Sequence, residues 1–216
     1  MKNFVKNRPV FGAALVMSAL SLSGCAITPH FDAFNDTGDQ IDALGGQTPV
    51  NDMPSGVGTA TYEGQALGAI WDDTTTNDYY YSGDATVNVD FANPISGVSG
   101  QITNLQGHGP NSPAAANQNQ NCFYCITTYE GVATGTIQLA GGAISGSDIL
   151  DLQYDSQGMT IDGEAVGLTG FMDGAFHGSN GGNPPQGIKL EDNVNTQANV
   201  GSTSYPNHVL YINALD

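Results

Sequence analysis

Apolar and polar side chains alternate without a break over residues 85–91, and no other feature constrains the fold as strongly. The apolar side chains would point to one face of a strand and the polar ones to the other: Ala85, Val87, Val89 and Phe91 against Thr86, Asn88 and Asp90. A period of two is typical of a half-buried strand, because a helix would spread such residues around its circumference. The segment therefore predicts a sheet with one apolar face.

Short runs of the same texture recur along the chain from residue 57 onward. They predict further strands at 57–63, 66–71, 98–105, 134–140, 144–154, 159–166, 170–177 and 208–213. Three glycine-containing clusters supply the predicted turns: Ser82-Gly83-Asp84, Gly141-Gly142 and Ser156-Gln157-Gly158. Many short strands without a convincing amphipathic helix predict an all-β fold, an eight-stranded antiparallel up-and-down barrel, because closure removes exposed strand edges.

A barrel of this kind could stand in a membrane or in water. A membrane barrel needs apolar side chains on its outer face and aromatic girdles at both interfaces. On the clearest strand, the face opposite the apolar set carries Asn88 and Asp90. We therefore predict a soluble barrel with an apolar interior and a polar, acidic exterior.

Residues 1–24 have the form of an export signal. Lys2, Lys6 and Arg8 precede an apolar run over residues 10–22, which is too short for a permanent membrane span. The run leads into Leu-Ser-Gly-Cys, which resembles the bacterial lipobox. By that resemblance Cys25 is lipidated, with fatty acyl chains such as palmitate, and becomes the first residue of the mature chain. The alternative is an ordinary secretory signal with an incidental cysteine.

Ala26 rather than an aspartate follows Cys25. By resemblance to lipoprotein sorting rules, this favours the outer membrane of a diderm cell. Three acyl chains, at roughly 0.8 kcal/mol per buried methylene, would hold the chain there stably. Residues 25–54 are rich in small and polar residues and are predicted to form a flexible tether, with at most one short helical turn around Phe31 and Phe34. The barrel domain is then predicted over residues 55–216.

Charge is distributed unevenly between the export signal and the rest of the chain. All 21 acidic residues follow residue 24, whereas Lys189 is the one Lys or Arg beyond the signal, so the mature chain has a formal charge of −20. Such a surface repels phosphate backbones and anionic headgroups, which excludes nucleic acid as a partner. The acidity is compatible with cation binding, with a basic partner, or simply with solubility in a salty habitat.

Cys122 and Cys125 form a Cys-x-x-Cys motif, the most specific local feature of the mature chain. In an exported protein such a pair is expected to be oxidised, and we predict a disulfide that closes a small loop. Thiol–disulfide exchange is the alternative. It needs a helix N-terminus or nearby cations to lower the thiol pKa, and the preceding residues are Asn and Gln.

Tyr79, Tyr80 and Tyr81, together with His108 in a predicted loop, are the predicted ligand-binding residues. Tyrosine supplies contact area at a low cost in conformational entropy. The alternative is that Tyr79 and Tyr81 simply begin the next strand. A further alternative is that His108 or His177 ligates haem. The opposing interpretation is that both histidines are simply solvated.

Catalytic and metal-binding motifs are not assignable in this chain. The aspartates at 36, 39 and 42 and at 148, 151 and 155 fit neither the EF-hand loop nor the glycine-rich calcium repeats. No GxSxG element or phosphate-cradling loop occurs, so neither an enzyme nor a metal or cofactor is expected. His177 alternates with Phe176 and is expected to face solvent if Phe176 fills the barrel.

Several segments, taken in order along the chain, resemble the barrel domain of the transferrin-binding protein B family. The resemblance is carried by glycine- and threonine-rich runs at 58–64 with 66–68, at 82–91, at 98–105, and by Gly-Ala-Phe-His-Gly at 174–178. It spans most of residues 56–187. Glycines let a small barrel bend, and the aromatic residues between them fill its interior.

The resemblance implies a surface lipoprotein of diderm bacteria with an eight-stranded up-and-down barrel. Members bind host transferrin, complement regulators, haemoglobin or haem. This chain has one barrel where the transferrin receptors have two lobes with handle domains, and its loops match no known partner surface, so transferrin binding is not carried over.

We therefore expect a monomeric outer-membrane lipoprotein, exposed at the cell surface, that binds a protein or small solute through its loops. An iron- or haem-related ligand is among the possibilities. The alternative is a structural, envelope-coating lipoprotein without a specific ligand.

Overall fold

A computed structural model describes residues 29–54, 56, 58–72, 78–110, 132–178, 184–193 and 197–216. These ranges contain one α-helix, α1 (Pro29–Ala43), and a short 3-10 helix at Val50–Asp52. Ten strands follow in chain order: β1 (Thr59–Trp71), β2 (Tyr79–Asp90), β3 (Val98–His108), β4 (Ala133–Ser145), β5 (Asp148–Ile161), β6 (Glu164–His177), β7 (Gly187–Asp192), β8 (Gln197–Val200), β9 (Thr203–Tyr205) and β10 (Asn207–Leu215). Among the described residues, no helix is both long and apolar enough to cross a membrane.

The strands close into an antiparallel barrel. Each of β1 to β6 pairs with the next strand in sequence, β7 lies between β6 and β10, and β10 pairs with β1 to complete the ring. Where β7 ends, β8 takes its place beside β6, and β9 pairs with β8. The predicted eight-stranded antiparallel barrel is therefore confirmed.

The barrel interior is filled by large side chains. Eleven of them lie in one apolar cluster and are less than 2% exposed: Tyr62, Ile70, Ile102, Ile137, Ile149, Leu152, Tyr154, Ile161, Leu168, Met172 and Phe176. They follow the alternation of the wall strands except where the register shifts, as between Ile149 and Leu152. Burying one aliphatic or phenylalanine side chain of this size contributes about 1.5–3 kcal/mol, so the interior is the main source of stability.

The three clusters predicted as turns lie inside long strands instead. Residues 82–84 are in β2, 141–142 in β4 and 156–158 in β5, and the strand register shifts beside each of them. Gly141 and Gly158 have φ angles of 75° and 60°, which most L residues avoid. The glycines thus mark β-bulges, which bend long strands around a narrow barrel.

Two predicted strands were wrong because each spans a tight turn. Gly146-Ser147 separates β4 from β5 within the predicted run 144–154, and Asp162-Gly163 separates β5 from β6 within 159–166. Asp162 and Gly163 have φ angles of 51° and 83°. An Asp-Gly pair with positive φ at both positions favours a two-residue hairpin whose twist matches that of the strands.

The helix α1 was not predicted. It spans 15 residues, whereas the sequence was interpreted as a tether with at most one short turn. It packs mainly on β1 and β10 and has fewer contacts with β2 and β7. Ile41 on the helix and Leu67 and Ala69 on β1 are buried, although they lie outside the apolar cluster of the barrel interior. Sparse apolar residues thus suffice for a helix that covers a ready-made sheet surface.

Residues 44–48 continue from the helix along the barrel wall. The buried Thr48 donates its backbone N–H to the Phe176 carbonyl at 2.8 Å and its hydroxyl to the Gly178 carbonyl at 3.1 Å. Gln47 forms an isolated antiparallel bridge with His177. This part of the predicted tether therefore pairs with the end of β6.

Candidate functional site

The three predicted tyrosines begin β2, as the alternative interpretation had it. Tyr79 and Tyr81 point into the barrel and are buried, whereas Tyr80 lies on the outer side of the wall. Burial raises the pKa of Tyr79 and of Tyr80 to about 12, and neighbouring phenol and carboxylate groups add to the shift. The three side chains therefore do not form one binding surface.

His108 ends β3 and packs against Tyr80 with ring centroids 5.2 Å apart. Its side chain is buried, and burial lowers the imidazole pKa, while nearby Asp162 opposes that shift. His108 was expected in a loop, but it is the last residue of a strand, and its aromatic contact is with Tyr80. Cys25, Cys122 and Cys125 lie outside the described residues, so their predicted lipidation and disulfide stay predictions.

A polar cluster that sequence reasoning missed lies inside the barrel. His208 Nδ1 is 3.0 Å from Asp192 Oδ2 and 3.0 Å from the Tyr154 hydroxyl. The Tyr154 hydroxyl also donates to Asp192 Oδ2 at 3.2 Å, and the Tyr81 hydroxyl is 2.6 Å from His208 Nε2. The His208 and Asp192 side chains are 1% and 5% exposed. We call these four residues the lumen cluster.

One arrangement of protons gives each hydroxyl group of the lumen cluster an acceptor. A neutral imidazole donates Nδ1–H to Asp192, Tyr154 donates to the same carboxylate, and Nε2 accepts the Tyr81 hydroxyl. Protonating the imidazole would turn Nε2 into a donor and remove the acceptor of the Tyr81 proton. The neutral Nδ1–H tautomer of His208 is thus the assignment that gives the hydroxyl protons of both Tyr81 and Tyr154 an acceptor.

Burial dominates the electrostatics of the lumen cluster. It raises the pKa of Asp192, and the hydrogen bonds that this carboxylate accepts from His208 and Tyr154 limit that rise. Burial also raises the pKa of Tyr81 and Tyr154 well above the usual value, and the negative charge of Asp192 adds to both shifts. Both phenols are thus held as neutral hydrogen-bond donors.

Two glycines make room for the two tyrosines. Gly68 on β1 is the register partner of Tyr81, and Gly170 on β6 is the partner of Tyr154. A Cβ at Gly68 would lie 2.1 Å from the Tyr81 ring, and a Cβ at Gly170 would lie 2.5 Å from the Tyr154 hydroxyl. Each ring therefore crosses the backbone of the neighbouring strand, a packing that covers a glycine with an aromatic side chain.

The lumen cluster joins four wall strands, namely β2, β5, β7 and β10. Its members are enclosed, so its evident role is to fix the strands relative to one another. Among the described residues, no group of three or more His, Cys, Asp and Glu side chains has a geometry that could hold a metal ion.

The outer face carries an aromatic and acidic strip. Three residues are aligned across neighbouring strands: Asp173 on β6 is paired with Glu191 on β7, and Glu191 is paired with Tyr211 on β10. Phe171 lies two residues before Asp173 on the same face, and Leu150 lies on the neighbouring strand β5. We call these five residues the outer strip.

A groove of about 510 Å³ separates the outer strip from helix α1. Asp173, Glu191 and Tyr211 line one side of the groove, and Phe34 of the helix lines the other. The Asn213 side chain also lines the groove and donates to the Phe34 carbonyl at 3.2 Å. The groove has the volume of a small-ligand site, although it is open along its length.

Lys189 and His177 complete the groove but are engaged with other groups. Lys189 pairs with Asp42 of the helix and thereby lowers the pKa of that carboxyl. His177 points outward, as predicted, but it is half-buried rather than solvated. Burial and the nearby charge of Lys189 lower its pKa, while Asp42 opposes the shift.

The sequence contained partial signals for the residues that were missed. His208 and Leu210 alternate with Val209 and Tyr211 on a predicted strand, so His208 was assigned a strand but not a face. Asp192 ends the run Lys-Leu-Glu-Asp, which has the alternation of a short strand. Pairing it with His208 requires the register of β7 and β10, which one sequence does not provide.

We compared the chain with protein-family models and with curated proteins. No protein-family model matches the chain, and no curated protein matches it. The fold and the surface define the class of molecule: a closed antiparallel barrel with a filled interior and a lined groove on its outer face.

Proposed function

We propose that this protein is an outer-membrane lipoprotein, anchored through Cys25 and exposed at the cell surface, whose single barrel binds a ligand on its outer surface. The filled interior is the observation that supports this proposal most. A barrel that carries a solute inside needs an interior cavity, whereas the large side chains at the centre of this one are less than 2% exposed.

The resemblance to the transferrin-binding protein B barrel supports the same proposal. Its eight-stranded up-and-down architecture has the strand number and order of the present barrel. The glycine-rich runs that carry the resemblance contain bulges and close approaches, for example at Gly83 and Gly174, where a Cβ would lie within 2.7 Å of another atom. We do not extend the proposal to transferrin, haem or iron.

The charge of the chain favours a partner that is not itself acidic. The mature chain carries 21 acidic residues against Lys189, and that lysine is paired with Asp42. Long-range attraction would raise the association rate of a cationic partner and repel anionic surfaces.

Anchoring and exposure can be tested in intact cells. We expect the wild-type chain to fractionate with the outer membrane and to be cleaved by added protease without lysis, whereas Cys25→Ala should lose the anchor. A Cys122→Ala/Cys125→Ala variant removes two thiols without touching the lipobox and should stay anchored. Retention of Cys25→Ala in the outer membrane would contradict the proposal.

Binding can be tested with the full-length lipoprotein in a non-ionic detergent. A saturable partner from host fluid or growth medium would support the binding role, provided that the same partner protects the outer surface of the barrel from labelling. Failure to retain any partner would favour the envelope-coating alternative instead.

A further inference from the structure

Exposed apolar side chains converge on the outer strip. Leu150, Phe171 and Tyr211 are 38%, 37% and 36% exposed, and the described residues contain only three other exposed side chains of this kind, at Val50, Ile95 and Val132. A cluster of exposed aromatic and aliphatic groups on a sheet face is typical of an interaction surface.

The same strip holds two carboxylates in direct opposition. Asp173 and Glu191 are cross-strand neighbours on the outer face, and like charges in such positions destabilise a sheet. Asp173 accepts the Asp151 backbone N–H at 2.8 Å and the Asn193 side chain at 3.4 Å, so its position is fixed. Neither of these donors carries a charge that would offset the repulsion from Glu191.

The one Lys or Arg among the residues that the structure describes is paired with another residue. Lys189 lies on β7 two residues before Glu191, and its ammonium group pairs with Asp42 on the helix. The strip therefore presents an acidic pair with aromatic and aliphatic groups at its borders and an open groove beside it.

We propose that the outer strip is the docking surface for a protein segment that presents an arginine, whose guanidinium enters the groove between Glu191 and Tyr211. This deepens the proposed binding function and rests on it. A guanidinium can donate two parallel hydrogen bonds to a carboxylate while its face stacks on a phenol ring. Leu150 and Phe171 would cover the apolar part of the same segment.

A protein segment fits the surface better than a free small cation. The strip extends across β5, β6, β7 and β10, and the groove is open along its length rather than enclosed. A small amine would contact only the acidic pair and none of the exposed apolar groups of the strip. A peptide that follows the groove would use both.

The probe for this proposal is a short peptide of alternating glycine and arginine, titrated into the full-length lipoprotein in a non-ionic detergent. We expect saturable binding that weakens with salt, and a loss of about tenfold or more for Glu191→Gln and for Tyr211→Ala. Agmatine, a small guanidinium compound, should bind more weakly than the peptide.

Two matched variants separate this site from general acidity. Glu164→Gln removes the same charge at the other end of β6, and Ile95→Ala removes an exposed apolar side chain outside the strip, so both should bind the peptide as the wild type does. Equal losses for Glu164→Gln and Glu191→Gln would overturn the proposal, as would agmatine binding as tightly as the peptide. Because these are surface changes, they leave anchoring and protease exposure intact, so failure here is distinct from failure of the proposed function.

Discussion

The two ends of the barrel interior solve the same packing problem in different ways. At one end, Tyr62 packs on Phe176, which in turn packs on Phe91, and the Tyr62 hydroxyl donates to a single carbonyl, that of Pro185, at 2.9 Å. The lumen cluster lies at the other end, beside Gly68, which is six residues beyond Tyr62 on β1 and thus about 20 Å away. There, hydrogen bonds among four side chains replace apolar contacts. The first end gains stability from burial, whereas the second gains a fixed arrangement of strands.

Because the two ends are stabilised differently, substitutions at each end should change the stability of the fold by different amounts. A phenol with one carbonyl acceptor loses one hydrogen bond when it is altered. Substituting a member of the lumen cluster leaves its partner groups buried without a hydrogen bond. Such an unpaired buried group costs more free energy than the hydrogen bond itself contributed. The polar end should therefore be the more sensitive of the two.

The largest effect is expected for His208→Leu. This change leaves the Asp192 carboxylate and the Tyr81 hydroxyl buried without the imidazole, which should lower the free energy of unfolding by about 3–5 kcal/mol. Urea denaturation followed by circular dichroism measures it. The control is His208→Leu combined with Asp192→Leu, which should recover part of the lost free energy of unfolding because no buried charge remains. If the double variant recovers none of it, the loss does not come from the unpaired Asp192 carboxylate.

A smaller loss is expected for Gly68→Ala. The added Cβ would lie 2.1 Å from the Tyr81 ring, so the ring must leave its position, at a cost of about 1–3 kcal/mol. Gly167→Ala is the matched control, because its nearest heavy atom would be 4.0 Å away. Thermal unfolding of the two variants tests the comparison. Equal midpoints would show that the Tyr81 ring does not need a glycine at position 68.

The two tyrosine ends can be compared directly by removing one hydroxyl from each. Tyr62→Phe should cost about 1 kcal/mol, because it removes a neutral hydrogen bond to a carbonyl. Tyr81→Phe should cost more, since it leaves His208 Nε2 buried without its donor. Equal free energies of unfolding for the two variants would remove the distinction between the ends.

The smallest effect concerns pH and should appear only as a difference between variants. Burial raises the pKa of Asp192 in the folded chain above its unfolded value of 3.8. Its contribution to stability is then fully present below that unfolded value and is lost as the pH rises through the folded pKa. The stability of the wild type relative to Asp192→Asn should therefore fall as the pH rises over this window, and a difference that rises with pH would contradict the assignment.

The sequence was sufficient for the architecture but not for the sites. Uninterrupted alternation at 85–91 predicted a strand, and the run 170–177 predicted most of β6 with Phe176 inside. The bulges at Gly141 and Gly158 were taken as turns, because a glycine cluster looks the same in both settings. What distinguishes them is the pairing of the flanking residues across the sheet, which is a long-range property.

Long-range pairing also explains why the lumen cluster and the outer strip were missed. Tyr81 and His208 are 127 positions apart, and Asp173, Glu191 and Tyr211 come from three strands. Alternation shows that side chains share a face, but it does not show which strands are neighbours or how they are aligned. The helix α1 was missed for a related reason, since its few apolar residues are sufficient only because a sheet surface lies beneath them.

The central claim is that the barrel interior is a scaffold and that recognition occurs on the outer face. Titrating the glycine–arginine peptide into Tyr81→Phe and Glu191→Gln, with the unfolding free energy of each measured in parallel, tests it most directly. We expect Tyr81→Phe to lower stability and to bind the peptide normally, whereas Glu191→Gln should keep its stability and lose binding. The reverse pattern, with binding lost in Tyr81→Phe and kept in Glu191→Gln, would place recognition inside the barrel and contradict the claim.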